Sequence, residues 1–331
     1  MSSLAGPRWS IIAGVLALAL LALLPRALNG YGIQVVMIGF FYVLLGVSWN
    51  LIAGYIGQFS LAQHAFATIG AYVSAAAVLA LHAPIPVGIV AGVVAAAVFG
   101  YCLGWLTLGL RGVYFAIATW AFAESIRILL TINYQVTRGD MGLPVPFLFD
   151  SADQTPTYEV FLAAAAASVV LVALLLRTKI GYRMHAIRDD QELAVAVGID
   201  VVRWKRSVFV LSTALAGLAG ALYGHAVGLL SPSQADFSQM AFVVVAVVLG
   251  GFRSLWGPVV GALMAQGLAE MLRFSAELRL IVFAVLVLVI MRVYPPGVMG
   301  LVRALASGLE VTLGKGGSGG KSEQHRAAPP L

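Results

Sequence analysis

The sequence is poor in charged residues and nearly devoid of cysteine. Asp, Glu, Lys and Arg make up 10% of its 331 residues, whereas soluble proteins carry about 25%. So few charges cannot cover the surface of a water-soluble domain of this size, which excludes the soluble globular and disordered classes. The one cysteine, Cys102, excludes a disulfide within the chain and a metal site built on a cysteine pair.

Apolar residues predominate instead. They account for 61% of the chain, and the mean hydropathy is +0.96. Because a bilayer core requires about 20 apolar residues per helix, the sequence predicts an all-α, polytopic transmembrane helical bundle of about ten segments. Two of these segments are short and are interpreted as tilted, broken or re-entrant. The segments are 9–25, 33–53, 61–81, 85–108, 113–132, 159–176, 207–230, 240–250, 257–271 and 280–294.

The charges between the segments predict an orientation. Loop 177–206 carries seven basic residues, whereas loop 133–158 carries three aspartates and one arginine. The excess of basic residues in cytoplasmic loops therefore places 177–206 inside and 133–158 outside. With ten segments, both termini are then cytoplasmic. The net charge of +6 is attributed to these loops and to anionic lipid headgroups, and no nucleic acid is expected as a partner.

Three regions follow from this organisation. Residues 1–30 form a membrane helix and a short outer loop, and the helix is expected to be retained because no A-x-A cleavage site follows it. Residues 31–300 form the transmembrane domain. Residues 301–331 form a cytoplasmic tail that we expect to be disordered from about 314. The glycine-rich end of this tail lacks the first glycine of a phosphate-binding loop, so we expect no cofactor bound by this chain.

Loop 177–206 has capping and helix-stop residues at the spacing of a helical hairpin. Asp189 and Glu192 have the spacing of a capping box, and Gly198 suits a left-handed helix stop. Asp200 can then cap the helix that continues into segment 207–230. The pattern predicts a short capped helix, a tight turn and a long helix. Such a hairpin suits docking into another protein's groove, although an ordinary solvated connection fits this geometry equally well.

A second feature is a polar break in the apolar run 33–81, where glycines alternate with polar side chains. Irregular backbone at membrane depth is tolerated where it is buried in protein or lines a wet cavity. We hypothesise that this break lines the translocation route for a zwitterionic solute; a short cytoplasmic turn is the alternative. The candidate route residues are Asn50, Gln58, Ser60 and Gln63.

Segment 113–132 carries the charged residues Glu124 and Arg127, three positions apart on one helical face. Charges within the membrane are costly and are by default functional candidates. A stabilising ion pair is the favoured interpretation, and a functional role stays open. The chain carries none of the zinc or nucleophile motifs of intramembrane enzymes.

Several blocks of the sequence resemble one transporter family. Glu192-Leu-Ala194-x-x-x-Gly198 resembles the E-A-A-x-x-x-G loop of ABC importer permeases, with Leu193 in place of an alanine. The surrounding MHAIRDDQELAVAVGIDVVRWK, which contains Arg188, resembles the M-type permease of branched-chain amino-acid importers. Five further blocks occur in the family's order: NLIAGYIGQFSLAQHAFATIGAY, FAESIRILL, TRGDMGL, LAGLAGALYG and GGFRSLWGPVVGAL. His64 departs from the small residue that is usual at its position.

The resemblance implies a non-enzymatic subunit of an ATP-driven importer in the bacterial inner membrane. Its implied partners are an H-type permease, two ATP-binding subunits that hold ATP and Mg²⁺, and a periplasmic solute-binding protein. The coupling loop, with Arg188, Asp189, Glu192, Ala194, Gly198 and Asp200, would rest on an ATPase. Branched-chain amino acids are the default solutes, and urea, amides and aromatic acids are the others. The rival class is an ion-coupled secondary transporter, which the nearly charge-free segments and the missing internal repeat disfavour.

Overall fold

A computed structural model of the chain describes residues 19–110, 112–149, 153–293 and 297–301. These residues are almost entirely helical, and six of their helices are long and apolar enough to cross a membrane: Gly30–Ala53, Gln63–Leu81, Ile85–Thr107, Val113–Ile132, Thr155–Arg177 and Val201–Val227. The predicted all-α polytopic class is thus confirmed. Most of segment 9–25 and of the tail 301–331 lies outside the described residues. The helices are α1 Gly30–Ala53, α2 Gln63–Leu81, α3 Ile85–Thr107, α4 Val113–Ile132, α5 Tyr134–Thr137, α6 Thr155–Arg177, α7 Lys179–Asp189, α8 Gln191–Ala196, α9 Val201–Val227, α10 Phe237–Gly250, α11 Gly257–Met271 and α12 Ala276–Val293.

The long helices follow the apolar runs because their ends coincide with capping and helix-breaking residues. Asn29 caps α1 by accepting a hydrogen bond from the N–H of Gly32 at 2.9 Å, and Pro84 immediately precedes α3. Helix α9 starts at Val201, before the apolar run at 207. Its cap is Asp200 in the polar hairpin, as the sequence predicts.

Helices α2, α3 and α9 pack most closely, through small residues. The buried face of α3 includes small residues at every fourth position: Gly88, Gly92, Ala96, Gly100 and Gly104. A Cβ at Gly70 on α2 would overlap the backbone of Gly217 on α9, and a Cβ at Gly217 would overlap Ala96 on α3. The absence of side chains lets the helix backbones approach closely, which favours helix association in lipid.

After α9 the chain takes a less regular course. Strand β1 Leu143–Pro144 pairs antiparallel with β2 Leu229–Leu230, and the 3-10 turn Pro232–Ala235 follows β2. This turn packs against α2 and α4. The two shorter predicted segments are present as α10 and α11, which pack on each other, and α11 also packs on α1.

Candidate functional site

The predicted hairpin is formed by α7, α8 and the start of α9, but the cap of α8 is Asp190. Its backbone is extended (φ −154°, ψ 110°), and its carboxylate accepts from the N–H groups of Glu192 and Leu193 at 2.9 and 3.0 Å. The prediction that Asp189 caps this helix is wrong, because α7 continues through Asp189 and a cap requires non-helical backbone. Asp189 instead forms an ion pair with Arg188 at 2.7 Å, which holds the pKa of this carboxyl below its usual value.

The far end of α8 has the geometry that its spacing predicts. Gly198 adopts a left-handed conformation with φ of +84°. Its N–H donates to the carbonyl of Val195 at 2.9 Å, and the N–H of Ile199 donates to the carbonyl of Ala194 at 3.0 Å. The Asp200 carboxylate accepts from the N–H of Arg203 at 3.0 Å and so begins α9. Both ends of the six-residue helix are therefore held by local hydrogen bonds.

The side chains of α8 divide into a buried and an exposed set. Ala194 is buried in a small apolar cluster with Ile187 of α7 and Val201 of α9. The exposed set includes Glu192 and three apolar side chains: Leu193, Val195 and, just after the last helical residue, Val197 are 61%, 57% and 68% exposed. A short, rigidly capped helix thus presents an apolar surface, the kind of surface that another protein's groove can cover.

Arg188 connects the hairpin to the polar break after α1. Its side chain is only 16% exposed, and Nη1 donates to the carbonyl oxygen of Gly54 at 3.3 Å. Gly57 has a φ of +80°, and a Cβ there would lie 3.2 Å from Cγ of Arg188. The His185 ring packs edge-on against Tyr55 with a centroid distance of 5.8 Å. Burial, and then the nearby Arg188, lower the pKa of His185.

A cavity of about 360 Å³ separates the hairpin from the polar break. Its walls include Gln58 on one side and Glu192 on the other. Any movement of α8 toward or away from the break would change this volume. Sequence spacing gave no sign of the contact, because Arg188 and Gly54 lie 134 positions apart.

The polar break itself, residues 54–62, is irregular backbone held by buried side chains. Trp49 Nε1 donates to the carbonyl of Ser60 at 2.8 Å, and Gln58 and Ser60 are both buried. Asn50 reaches the turn after α10, donating to the carbonyl of Ser254 at 3.0 Å and accepting from the N–H of Arg253 at 3.3 Å. The end of α1, just before the break, therefore contacts the turn between α10 and α11 through Asn50.

Gln63 begins α2 in the protein interior, where it joins three helices. Its amide nitrogen donates to the hydroxyls of Ser48 on α1 at 3.1 Å and Ser212 on α9 at 2.6 Å. The Ser212 hydroxyl in turn donates to the carbonyl of Ser48 at 2.7 Å. In this conformation Gln63 thus forms a buried interhelical contact and does not line the cavity between the hairpin and the polar break.

His64 fixes the 3-10 turn Pro232–Ala235. Its Nδ1 lies 3.0 Å from the carbonyl oxygen of Gln234, and its buried ring packs near Phe41 and Tyr42 of α1. Tyr42 also donates to Gln239 of α10 at 2.9 Å. The His64 imidazole thus connects α1 and α2 to the chain before α10.

Glu124 and Arg127 interact on α4, and a third charge joins them. Arg127 Nε donates to both carboxylate oxygens of Glu124 at 3.1 Å. The same Nε lies 3.5 Å from Oδ1 of Asp236. Sequence reasoning missed Asp236, since it is 109 positions away and precedes an irregular turn that no periodicity predicts.

Comparison with known proteins decides the family. Residues 31–291 match the model of a family described as the permease component of branched-chain amino acid transport systems. The chain belongs to this family. It is therefore a permease subunit of the ABC importer type and a multi-pass membrane protein, as the resemblance in its sequence blocks implies.

Individual relatives of this permease are themselves transport permeases. The chain is 31% identical to the high-affinity branched-chain amino acid permease LivM of Escherichia coli, over 79% of this chain and 68% of the relative. It is 27% identical to LivH of the same organism, over 80% and 93%. It is also 27% identical to the fructose import permease FrcC of Rhizobium meliloti, over 55% and 54%. No solved structure gives a significant match.

Proposed function

We propose that this permease translocates branched-chain amino acids or a related small polar solute such as urea, an amide or an aromatic acid. The solute class is supported by the names of the relatives, among which LivM and LivH both belong to branched-chain amino acid transport systems. The sugar permease among the relatives shows that the family's scaffold serves more than one solute class. In such systems we expect a separate binding protein to select the solute.

The energy for transport comes, in this proposal, from two ATP-binding subunits that hold ATP and Mg²⁺. A second, H-type permease and a periplasmic solute-binding protein complete the assembly in the bacterial inner membrane. The chain would cross the membrane about ten times, with both termini and the hairpin in the cytoplasm. The basic residues of loop 177–206 support this orientation.

The apolar surface of α8 is the observation that carries the ATPase contact. Leu193, Val195 and Val197 are exposed, although exposure of apolar side chains to water does not stabilise a cytoplasmic helix. Asp190 and Gly198 fix both ends of the helix, so its direction is preset for docking. Burial of these three side chains against an ATPase would remove their apolar surface from water and so favour binding.

A movement of α8 would reach the polar break through Arg188. ATP binding draws the two ATPases together, and the hairpin follows its ATPase. Arg188 then shifts the carbonyl of Gly54, to which it donates, and the break moves against α1 and α2. ATP can shift this equilibrium only through a higher affinity for one of the two arrangements.

Replacement of Leu193 by aspartate tests the docking contact directly. The side chain is 61% exposed, so the variant should insert and fold, while the charge is incompatible with an apolar groove. We expect the ATPases no longer to co-purify with the permease. Phe274→Asp, at a side chain that is 91% exposed in the turn after α11, is the matched control and should retain them. Normal recovery of the ATPases with Leu193→Asp would contradict the assignment.

A further inference from the structure

The charges of α4 lie on a helix that is otherwise suited to lipid. Among the six membrane-length helices of the described residues, α4 is the least buried, with 17% of its apolar stretch inside the protein. Its neighbouring side chains Ile117, Trp120 and Ile128 are about half exposed. Glu124 and Arg127 share this open surface, with side chains 35% and 31% exposed. Ionised groups this open would be costly against hydrocarbon, so water or protein must cover this face.

Asp236 completes a cluster of mixed charge. It precedes α10 at the position of a helix cap, yet its carboxylate accepts no hydrogen bond from the first turn of that helix. The carboxylate instead approaches Arg127 at 3.5 Å and is 43% exposed. His64 holds the turn before Asp236 through the carbonyl of Gln234, so the position of this acid is fixed by the fold.

The cluster has more negative than positive charge. Glu124 and Asp236 both approach the guanidinium of Arg127. A simple structural pair would need one acid for one base. Two acids at one arginine, with all three side chains a third to two-fifths exposed, leave room for a second positive charge. A molecule that brings one cation and one anion within a few ångströms complements this arrangement.

We propose that Glu124, Arg127 and Asp236 form a binding site for the solute zwitterion on the translocation route. The solute carboxylate pairs with the guanidinium of Arg127, and its ammonium group lies between the carboxylates of Glu124 and Asp236. The α4 face that carries the cluster lines a wet passage and does not contact lipid. The assignment rests on the proposed function, since it takes an amino acid as the transported solute.

Uptake by variants with neutral substitutions distinguishes a solute-binding site from a purely structural ion pair. The double variant Glu124→Gln/Arg127→Gln removes both charges of the pair on α4, and the Asp236 carboxylate, which is 43% exposed, keeps access to water. A purely structural pair would therefore be replaced at little cost. We expect this variant and Asp236→Asn to assemble with all partner subunits in proteoliposomes. Uptake of L-leucine per assembled complex should nevertheless fall about tenfold or more, the loss expected for one charge-assisted hydrogen bond. Glu159→Gln, at an exposed carboxyl on α6, is the control and should transport normally.

Thiol labelling tests whether the site is wet and occupied. Ser238 is exposed two positions after Asp236, and Ser238→Cys is introduced after the native thiol is removed by Cys102→Ser. A water-soluble maleimide should label this cysteine in the assembled transporter, and L-leucine should slow the labelling in the wild-type cluster but not with Asp236→Asn. Val98→Cys, on the exposed face of α3, should stay unlabelled because lipid covers it.

Each outcome bears on one proposal. Leucine uptake at the wild-type rate in both neutral variants, loss of assembly in the double variant, or labelling that leucine does not slow would overturn the zwitterion site. A wild-type transporter that shows no ATP-dependent leucine uptake would contradict the proposed function itself. The two failures are therefore distinguishable within one set of preparations.

Discussion

Replacing Gly198 with alanine should loosen α8 without any steric overlap. No atom lies within 4 Å of the position that a Cβ would take, and φ is +84°. The cost is thus confined to the backbone, at about 1–2 kcal/mol for a side-chain-bearing residue in the left-handed conformation. Asparagine adopts this conformation more readily, so Gly198→Asn should cost less.

The short length of α8 makes it sensitive to the backbone cost of Gly198→Ala. Helix α8 has six residues, and its last carbonyls are satisfied by the N–H groups of Gly198 and Ile199. A cost near 1.4 kcal/mol raises the open fraction of this end about tenfold. A frayed coupling helix transmits less of the ATPase movement, so more ATP should be hydrolysed for each solute molecule imported.

Hydrogen exchange of residues 193–199 in the assembled transporter measures the opening, and the ratio of ATP hydrolysed to solute imported measures the coupling. Gly267→Ala is the matched control, since no atom lies within 4 Å of a Cβ there either, but the residue is helical. It should leave both quantities unchanged. Equal exchange in wild type and Gly198→Ala, or an equal effect of alanine and asparagine, would refute the backbone argument.

Three further changes have defined outcomes. Arg188→Ala removes the hydrogen bond to the Gly54 carbonyl; uptake should fall several-fold while the ATPases still co-purify, and unchanged uptake would contradict the link. Burial lowers the pKa of His185 in the folded protein. As the pH falls below about 6.5, the unfolded chain therefore binds this proton more readily than the folded protein does, and stability decreases. The melting temperature should differ less between pH 7.5 and pH 5.5 in His185→Phe than in wild type. Gly220→Val would overlap the backbone of Ala67 and should destabilise the protein by about 1–3 kcal/mol, seen as a lower melting temperature in detergent.

The sequence predicts the long helices because their signal is local. An apolar run bounded by Gly, Pro or a cap determines both ends of α1 and α3, and the repeated small residues of α3 predict its buried face. The start of α9 before its apolar run is predicted by a local signal of another kind, the capping residue Asp200 in the polar hairpin.

The contacts that define the candidate sites are mostly non-local. Asp236 approaches Arg127 only because the irregular turn before α10 packs against α4, and turns of this kind have no periodicity to detect. The hydrogen bond from Arg188 to the carbonyl of Gly54 likewise joins residues that are 134 positions apart in the sequence. The choice between Asp189 and Asp190 as a cap depends on where α7 stops, and helix ends are the least predictable part of a helix.

The measurement that tests the central claim most directly is leucine uptake under two energy sources by the reconstituted importer, which comprises both permeases, both ATPases and the binding protein. The account predicts that uptake requires ATP on the side of the membrane that carries the ATPases and persists when ionophores collapse every ion gradient. The Leu193→Asp variant should show no uptake. Uptake that an ion gradient drives in the absence of ATP would contradict the account and would establish a secondary transporter instead.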